Sequence, residues 1–560
     1  MISRKFYQSL VLGGLVLLSS LDPALANVSL KNGNFFIGYT DLFYSNGLQP
    51  KIERVYNSKT PYRGAFGWGW GNEYEVYLSV SADGSVVVHE YGGGAENRFL
   101  PLSMSEAELD RAVDEIAKVA QSTGVAGTGD QVTAYRKKLK NDATFRNDEW
   151  EKFRAQGKLK VREIPVNTQL KSNRFSYQYI TKVKDGYLRS FDSGKTQRFD
   201  SNGRLIQVSD KNGNFIKIVN KPGFKQLVDN FNHKIVLNYN NRGLITEVQG
   251  MNQASAKYTY NNLDELVKSV DVDGHAFTYK YDSQGRHNLL EIGYSDNTKM
   301  TVAYYPMAQL ESVKSVKDRD GTITEYEYPS DSSDKERYTV QFKVKGTDGK
   351  VISQGKYDYF NKRKADGEEW TQRLRTEIDQ EVTDTVYNAA CGLPDSIEQG
   401  GEKTSFKYDL KCHVTEKSSP KEVTELAYDS AVDKVSYVKK TSRENPKREL
   451  WSKFVYDTKG NLVSAKNSEG KSSRLVYDSE GRIRTIADEA GHQVSFKYDE
   501  NSKPVEISDP KLGTITVTYT NSGEIKKVDS TAGKEVAARV TQEFQELLDI
   551  IRPAGVSLSF

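Results

Sequence analysis

The sequence has few of the residues from which reactive or metal centres are built. Its 560 residues include two cysteines and six histidines. The histidines are His89, His233, His275, His287, His413 and His492, and none belongs to a cluster with the spacing of metal ligands. There is no Gly-x-Ser-x-Gly motif and no evident Cys/His pair. The sequence therefore predicts no catalytic residue, no metal site and no cofactor, although a hydrolase site assembled from distant loops stays open.

A strong charge bias is also absent. The 79 Lys and Arg residues oppose 76 Asp and Glu residues, which leaves a net charge of +3. Nucleic-acid binding requires a basic stripe or cluster, so no nucleic-acid partner is predicted. Beyond residue 26 no stretch is apolar enough to span a bilayer as a helix, so the mature chain is expected to have no membrane-spanning helix.

The first 26 residues have the three parts of a secretory signal peptide. Arg4 and Lys5 supply positive charge, an apolar run follows at 10–18, and Ala24-Leu25-Ala26 provides a cleavage site before Asn27. We therefore expect a secreted protein that resides in the periplasm, on the outer surface or outside the cell.

What the sequence does have is tyrosine in a regular pattern. It contains 33 Tyr, against five Trp and five Met. From about residue 174 a Tyr recurs every 21 residues, most regularly at Tyr456, Tyr477, Tyr498 and Tyr519. Asp or Asn usually follows the Tyr, and Gly often comes four residues after it. The signature residues singled out are Tyr281, Asp282, Gly285, Tyr456, Asp457, Gly460, Tyr477, Asp478, Gly481, Tyr498 and Asp499.

Each period contains two turns with room for two strands. Asp or Asn can accept a hydrogen bond from a backbone amide two residues on, and Gly adopts the positive φ that tight turns need. Segments such as Val494-Phe496-Tyr498 alternate apolar and polar residues, as in a strand with one buried face. The repeat thus predicts a mainly β fold, a long antiparallel array of roughly 17 hairpins that must curl because strand twist accumulates.

The repeat units resemble the YD repeat of RHS proteins and teneurins. Tyr477-Asp478-Ser479-Glu480-Gly481 is a representative unit. The segments Asn32-Gly33-Asn34, Arg54-Val55-Tyr56-Asn57-Ser58 and Phe66-Gly67-Trp68-Gly69-Trp70 resemble the domain that opens many bacterial RHS chains. The resemblance implies that the repeats wind into a hollow, spiralling β-shell. Asp509-Pro510 lacks the glycine pattern of the family's core-associated motif, so the family's self-cleaving aspartate does not carry over.

Five segments are predicted. They are a signal peptide at 1–26, an N-terminal β domain at 27–100, a helical insertion at 101–160, a YD-repeat shell at 161–530 and a C-terminal capping helix and tail at 531–560. The insertion reads as a helical pair, introduced by a capping box at Ser105 and Glu108. It either packs over an open end of the shell or docks a partner.

The two cysteines replace the turn glycine in consecutive repeats. Cys391 follows Tyr387 by four residues, and Cys412 follows Tyr408 by four. An exported protein can form a disulfide between them. Equivalent turns of consecutive hairpins lie about 10 Å apart, however, and a disulfide needs Cα atoms within about 7 Å. Whether Cys391 and Cys412 pair is left open.

The preferred functional hypothesis is a non-catalytic, exported shell or scaffold for envelope or cell-surface interactions, with a carbohydrate or protein ligand. It rests on a repeat array that lacks a catalytic constellation. The alternative, implied by the RHS resemblance, is a carrier that encloses a separately encoded toxin or partner protein.

Overall fold

The computed structural model describes residues 27–44, 48–81, 84–90, 95–101, 106–160, 163–172, 178–191, 193–251, 253–329, 336–363, 369–445, 449–499, 503–519 and 525–530. The predicted signal peptide and the predicted C-terminal helix lie outside these residues, and both stay predictions.

The chain begins with a small antiparallel sheet. Its strands are β1 (Asn27–Ser29), β2 (Asn34–Phe43), β3 (Lys51–Asn57) and β6 (Trp70–Asn72), in the order β1-β2-β3-β6, with a hairpin of β4 (Arg63–Gly64) and β5 (Gly67–Trp68) beside it. A 3-10 helix, Glu73–Glu75, follows. Alternate residues of β3 are buried, so one face of this N-terminal sheet packs against the rest of the protein.

A second, much larger sheet contains 36 strands. It starts with β7 (Tyr77–Val80), β8 (Val86–Glu90), β9 (Ala95–Pro101), β10 (Gln169–Ser172), β11 (Tyr179–Val183), β12 (Gly186–Ser190), β13 (Thr196–Asp200), β14 (Leu205–Ser209), β15 (Phe215–Lys221), β16 (Phe224–Asp229), β17 (Lys234–Tyr239) and β18 (Ile245–Gln249). It continues with β19 (Ser255–Tyr260), β20 (Leu266–Val270), β21 (Ala276–Tyr281), β22 (Leu289–Tyr294), β23 (Lys299–Tyr304), β24 (Val313–Lys317), β25 (Ile323–Glu327), β26 (Arg337–Lys345), β27 (Val351–Arg363), β28 (Glu369–Ile378), β29 (Glu381–Tyr387) and β30 (Pro394–Gln399). The last strands are β31 (Glu402–Tyr408), β32 (Val414–Ser418), β33 (Glu422–Asp429), β34 (Lys434–Ser442), β35 (Glu449–Tyr456), β36 (Leu462–Asn467), β37 (Ser472–Tyr477), β38 (Ile483–Asp488), β39 (Gln493–Tyr498), β40 (Pro504–Asp509), β41 (Gly513–Tyr519) and β42 (Ile525–Ser530).

Every strand of the large sheet pairs antiparallel with its neighbours in chain order, including β9 with β10 across the helical insertion. Within the described residues, no register joins the first strand to the last, so the sheet is open. The predicted fold class, a mainly β hairpin array consistent with a spiral shell and interrupted by helices, is confirmed. The pairing also places β7 to β9 in the shell, whereas the sequence assigns them to the N-terminal β domain.

The insertion contains three helices rather than the predicted pair. They are α1 (Glu106–Ser122), α2 (Asp130–Asn141) and α3 (Ala143–Ala155). Asp142 separates the last two, since its side chain accepts a hydrogen bond from the backbone N–H of Phe145 at 2.9 Å. This N-cap starts a new helix within a charged stretch that reads as continuous. The helices share a small core around Ile116, Leu139 and Trp150.

Successive coils of the large sheet touch each other. Lys211 Nζ donates to the carbonyl of Gly460 at 2.7 Å, and the Asn461 side chain donates to Asn212 Oδ1 at 3.0 Å. Asn214 Nδ2 donates to the carbonyl of Glu480 at 3.1 Å. The β14–β15 turn thus meets the β35–β36 turn 21 strands later. At about 4.8 Å per strand, one coil holds roughly 100 Å of ribbon.

The hydrophobic core is uneven along the ribbon. One cluster joins the N-terminal sheet to the shell strands as far as β24, and a second occupies β34 to β39. Among the described residues of β26 to β32, none belongs to a core cluster. We call β26 to β32 the uncovered span.

Candidate functional site

The signature tyrosines lock each hairpin to the preceding one. The Tyr477 hydroxyl donates to the carbonyl of Leu462 at 2.8 Å, and the Tyr498 hydroxyl donates to that of Ile483 at 2.6 Å. Tyr281 and Tyr456 make the same kind of bond, to the carbonyls of Leu266 and Val435. The strand register shifts by one residue immediately before each of these four tyrosines. The signature Tyr is therefore a structural clamp at a β-bulge.

The signature aspartates hold the turns. Asp478 Oδ1 accepts from the backbone N–H groups of Glu480 and Arg482 at 3.0 and 2.9 Å. The equivalent oxygens of Asp282, Asp457 and Asp499 also accept from backbone amides of their own turns, at 2.8 to 3.2 Å. Burial alone would raise the pKa of Asp457, but hydrogen bonds from Asn461 outweigh it and lower that pKa. These carboxylates are engaged in turns, as the sequence pattern indicates.

The signature glycines permit the turns, and Gly481 has a second role between coils. Gly285, Gly460 and Gly481 have φ of 71°, 78° and 79°, which suits glycine. A Cβ on Gly481 would also lie 2.6 Å from the side chain of Asn212 in the neighbouring coil. A side chain at this position would therefore clash with the coil contact as well as strain the turn.

The structure joins Cys391 to Cys412 by a disulfide within the uncovered span. Their Cα atoms lie 5.5 Å apart, closer than the spacing expected for equivalent turns. The two turns differ in length: Asn388 N–H bonds to the carbonyl of Leu393, five residues on, whereas Asp409 N–H bonds to that of His413, four residues on. The Cys391 turn is thus one residue longer than the Cys412 turn. The formation of this bond in the exported protein remains a prediction.

One face of the large sheet contacts the N-terminal sheet. The Tyr258 hydroxyl donates to Asp41, the Trp70 indole N–H donates to the Tyr281 hydroxyl at 2.8 Å, and the backbone N–H of Ile245 donates to the Ala65 carbonyl at 2.8 Å. We call this side the inner face, and β17 to β24, over which the N-terminal sheet lies, the covered span.

A buried arginine lies at the centre of this contact. Arg54, with no exposed side-chain area, donates to Asp41 at 2.6 and 3.0 Å, and to Tyr279 and Ser269 of the shell at 2.8 Å each. Five aromatic rings surround its guanidinium, those of Tyr39, Trp70, Tyr258, Phe277 and Tyr279. Burial disfavours the charge, but Asp41 outweighs it and raises the pKa of Arg54. Arg54 therefore joins the N-terminal sheet to the shell as a charged group.

The inner face can be traced along the paired residues into the uncovered span. Residues directly opposite each other in a sheet point to the same side. The pairing runs from Tyr279 through Ile292, Met300, Val302, Val316 and Thr324, and Tyr326 then pairs with Phe342. Val340 pairs with Tyr357, and Tyr359 with Leu374, so these residues also lie on the inner face.

From Tyr328, just after β25, into the uncovered span, the inner face carries a row of aromatic rings. Ring centroids are 6.4 Å apart for Tyr328 and Tyr338, 6.0 Å for Tyr338 and Tyr359, 6.5 Å for Tyr359 and Tyr357, and 6.1 Å for Tyr357 and Phe342. We call these five residues the aromatic strip. All five are half-buried, whereas Tyr258 and Tyr279 of the covered span are 5% and 3% exposed. The strip rings are more exposed than Tyr258 and Tyr279, although Val340 between them is fully buried, and the strip is the candidate binding site.

The strip differs from the signature tyrosines in its hydrogen bonding. Within the described part of the chain, the hydroxyls of Tyr338, Tyr357 and Tyr359 have no hydrogen-bond partner, whereas that of Tyr328 donates to the Val313 carbonyl at 2.9 Å. Burial raises the pKa of Tyr338 and of Tyr359 to about 12. These hydroxyls are therefore neutral donors at physiological pH.

The histidines are engaged in pairs with carboxylates. Each ring Nδ1 lies 2.7 to 3.0 Å from one of the carboxylates of Glu96, Asp229, Asp271, Glu265, Asp409 and Asp488. Over the described residues, no group of three or more His, Cys, Asp or Glu side chains is placed to hold a metal ion. No helix in that part of the chain is long and apolar enough to cross a membrane.

Sequence reasoning missed both Arg54 and the aromatic strip. In the sequence Arg54 is only one residue of a motif. Its burial against the shell could not be predicted, because its partners Ser269 and Tyr279 lie 215 and 225 residues away. A signal for the strip does exist, since the 21-residue period is interrupted between Tyr281 and Tyr387. In this interval β26, β27 and β28 are 9, 13 and 10 residues long, and tyrosines recur at short spacing.

Comparisons with known families match two parts of the chain. Residues 26–99 match a domain of unknown function (DUF6531), and residues 414–537 match the family described as Teneurin YD-shell. No curated protein matches the sequence.

The chain is also similar to solved structures of toxin complexes. For the Photorhabdus luminescens Tc holotoxin pore with the mutation TccC3-D651A, the identity is 12%, the TM-score is 0.35, and the match covers 91% of this chain and 28% of the other. For TcdB2-TccC3 without the hypervariable C-terminal region, the identity is 13% and the TM-score is 0.35, and the match covers 96% of this chain and 29% of the other. This chain thus spans less than a third of the length of those proteins.

Together with the 21-residue repeat and its Tyr-Asp-Gly turns, the Teneurin YD-shell match over residues 414–537 confirms the resemblance to RHS/YD-repeat proteins seen in the sequence.

Proposed function

We propose that this RHS/YD-repeat chain is an exported, non-catalytic shell that binds a polypeptide on the uncovered part of its inner face. The observation that carries the proposal is the contrast along that face. The N-terminal sheet covers β17 to β24, whereas the aromatic strip beyond it is half-buried and presents three hydroxyls that have no hydrogen-bond partner among the described residues. Aromatic side chains that carry a polar group are typical of protein-binding surfaces.

A protein ligand is favoured over carbohydrate by the way in which the inner face is already used. In the covered span, a polypeptide segment of the same chain occupies this face through ring contacts and backbone hydrogen bonds. The bound protein is either a separately encoded partner carried in the shell or a component of the cell envelope held by a scaffold.

Two features support export and a structural role. The predicted signal peptide and the Cys391–Cys412 bridge both fit an oxidising compartment. The signature carboxylates and the histidine–carboxylate pairs have structural partners in turns. The proposed location is the periplasm, the outer surface or the extracellular medium.

Native mass spectrometry of the mature protein, purified gently from its own host's envelope and medium, tests this proposal. We expect a stable excess mass that is released only on denaturation and proves to be polypeptide. A mass equal to one chain beginning at Asn27, in every fraction, would contradict it. Excess mass that proves to be carbohydrate would support the glycan-binding alternative instead.

A photo-crosslinking amino acid locates the bound polypeptide. Placed at Tyr357 on the inner face, it should give a crosslinked partner in the host. The matched control is Tyr437, which lies on the opposite face of β34, beside Lys453. Equal crosslinking from the two positions would contradict binding at the inner face.

A further inference from the structure

The aromatic strip continues a contact that the chain makes with itself. A Cβ on Gly33 of the N-terminal sheet would fall 2.9 Å from the Tyr328 hydroxyl, so the sheet ends against the first ring of the strip. From Tyr328 onward the same face continues through Tyr338 and Tyr359 without a covering element among the described residues. The strip is therefore the uncovered continuation of an interface already formed.

The rings of the strip lie among uncharged residues, and the charged pair Arg363 and Glu369 lies on the same face only at the ends of β27 and β28. Away from the ends of β27 and β28, the inner-face residues of β25 to β28 are all uncharged. They are Thr324, Tyr326, Tyr338, Val340, Phe342, Val344, Ser353, Gly355, Tyr357, Tyr359, Asn361, Leu374, Thr376 and Ile378. The opposite face of the same strands carries charges, among them Lys343, Lys356 and Arg375. A charged ligand would find no counter-ion among these residues, and an unpaired charge is costly to desolvate.

The covered span shows which side chains fit this face. Tyr39 packs on Phe277 with centroids 4.7 Å apart, Phe66 on Tyr258 at 4.9 Å, and Trp70 on Tyr279 at 5.2 Å. The N-terminal sheet thus contributes aromatic rings that meet the rings of the shell at edge or tilted angles. The N-terminal sheet also buries the charge of Arg54 at this contact, and Asp41 of the same sheet is the counter-ion of Arg54. Aromatic rings on an extended segment are therefore the complement of the inner face.

We propose that the aromatic strip binds an extended, uncharged polypeptide segment that carries aromatic side chains at alternate positions. The inference rests on the proposed function and names the class of segment that the shell accepts. Alternation places the rings of an extended chain on one side, where they meet Tyr338, Tyr357 and Tyr359. The three hydroxyls donate hydrogen bonds to backbone carbonyls of the segment.

The test uses the full mature chain and a fluorescent nine-residue peptide that alternates threonine with tyrosine or phenylalanine. Its partner peptide replaces the aromatic residues by lysine and glutamate. Fluorescence anisotropy should show binding of the aromatic peptide at least tenfold tighter than that of the charged one, equivalent to about 1.4 kcal/mol. Because the strip is uncharged, affinity should change by less than about twofold between 50 and 500 mM salt. Equal affinity for both peptides, or a steep loss with salt, would overturn the proposal.

Variants of the strip assign the binding. The double change Tyr338→Ala and Tyr359→Ala should weaken the binding of the aromatic peptide at least tenfold. Tyr437→Ala should leave its affinity unchanged. The pair Tyr338→Phe and Tyr359→Phe preserves the rings and guards against misfolding. It should give an intermediate loss, because only the hydroxyls are removed. If neither strip variant affects binding, the strip is not the site.

This outcome is separable from failure of the proposed function. If a bound polypeptide is found in the host but the aromatic peptide does not bind, only the segment chemistry is wrong. If the host protein carries no polypeptide and the peptide does not bind either, both proposals fail.

Discussion

The covered and uncovered spans belong to the same antiparallel sheet, and their inner faces are buried to different degrees. Both alternate apolar and polar residues, and both place aromatic side chains on the inner face. In the covered span Leu266 and Ile292 are fully buried, whereas Leu374 and Ile378 of the uncovered span are half-exposed. The strand pattern determines which residues share a face. The N-terminal sheet buries that face over β17 to β24, whereas among the described residues no core cluster includes β26 to β32.

The largest expected effect in this comparison comes from Arg54, in the covered span. Arg54→Ala leaves Asp41 buried without its counter-ion, and removing one partner of a buried pair costs about 3–5 kcal/mol. Urea denaturation followed by circular dichroism measures the loss of stability.

The matched control is Arg373→Ala in the uncovered span, where Arg373 pairs with Asp384 at the surface. Exposed pairs contribute at most about 1 kcal/mol. Similar losses for the two variants would show that the N-terminal sheet does not bury Arg54.

The next largest effect concerns the disulfide. Replacing both Cys391 and Cys412 by Ser opens a loop of about 22 residues, which costs roughly 3 kcal/mol in the chain-entropy model. Because the uncovered span lacks a core cluster, we expect faster hydrogen exchange in β29 to β32 and little change in β17 to β24. Uniform acceleration across the shell would contradict a local role, and free thiols in the native protein would show that the bond does not form.

A smaller effect on stability should distinguish the hydroxyl of Tyr281 from that of Tyr359. Tyr281→Phe removes a bond to the Leu266 carbonyl and leaves the Trp70 indole N–H without its acceptor, which should cost about 1–3 kcal/mol. Tyr359→Phe removes a hydroxyl that has no partner among the described residues, so stability should change by less than about 0.5 kcal/mol. Thermal unfolding of the two variants compares them directly. Equal shifts would contradict the difference in burial.

The smallest effect is expected from pH. Burial raises the pKa of Tyr338 and Tyr359 to about 12, above the ordinary value near 10. A raised pKa in the folded state means that the stabilisation is fully present below pH 10 and is lost as the pH rises through 12. Tyrosinate absorbance should show these phenols ionising near pH 12, and Tyr338→Phe should remove part of that transition. Ionisation complete by pH 10 would contradict their burial.

The repeat itself could be predicted from the sequence. The Tyr-Asp-Gly spacing indicated hairpins and turns because both depend on local chemistry, and Asp478 and Gly481 occupy the expected turn positions. The predicted number of helices in the insertion was wrong. In the sequence Asp142 looks like another charged residue of a continuous helix, whereas in the structure it caps a new helix.

Contacts between distant parts of the chain could not be predicted. The bonds from Arg54 to Tyr279 and from Lys211 to Gly460 join residues 225 and 249 apart, and nothing local specifies them. The spacing estimate for the cysteines assumed equal turns, whereas the Cys391 turn is one residue longer. The uncovered inner face was also hidden, because burial there depends on how far the N-terminal sheet extends.

Hydroxyl-radical footprinting of the full mature chain, read out by mass spectrometry, tests the central contrast most directly. If the N-terminal sheet covers only part of the inner face, Tyr338, Tyr357 and Tyr359 should be oxidised at least several-fold faster than Tyr258 and Tyr279. Equal protection of the two sets would contradict the account, since it would mean that the inner face of β26 to β32 is also covered.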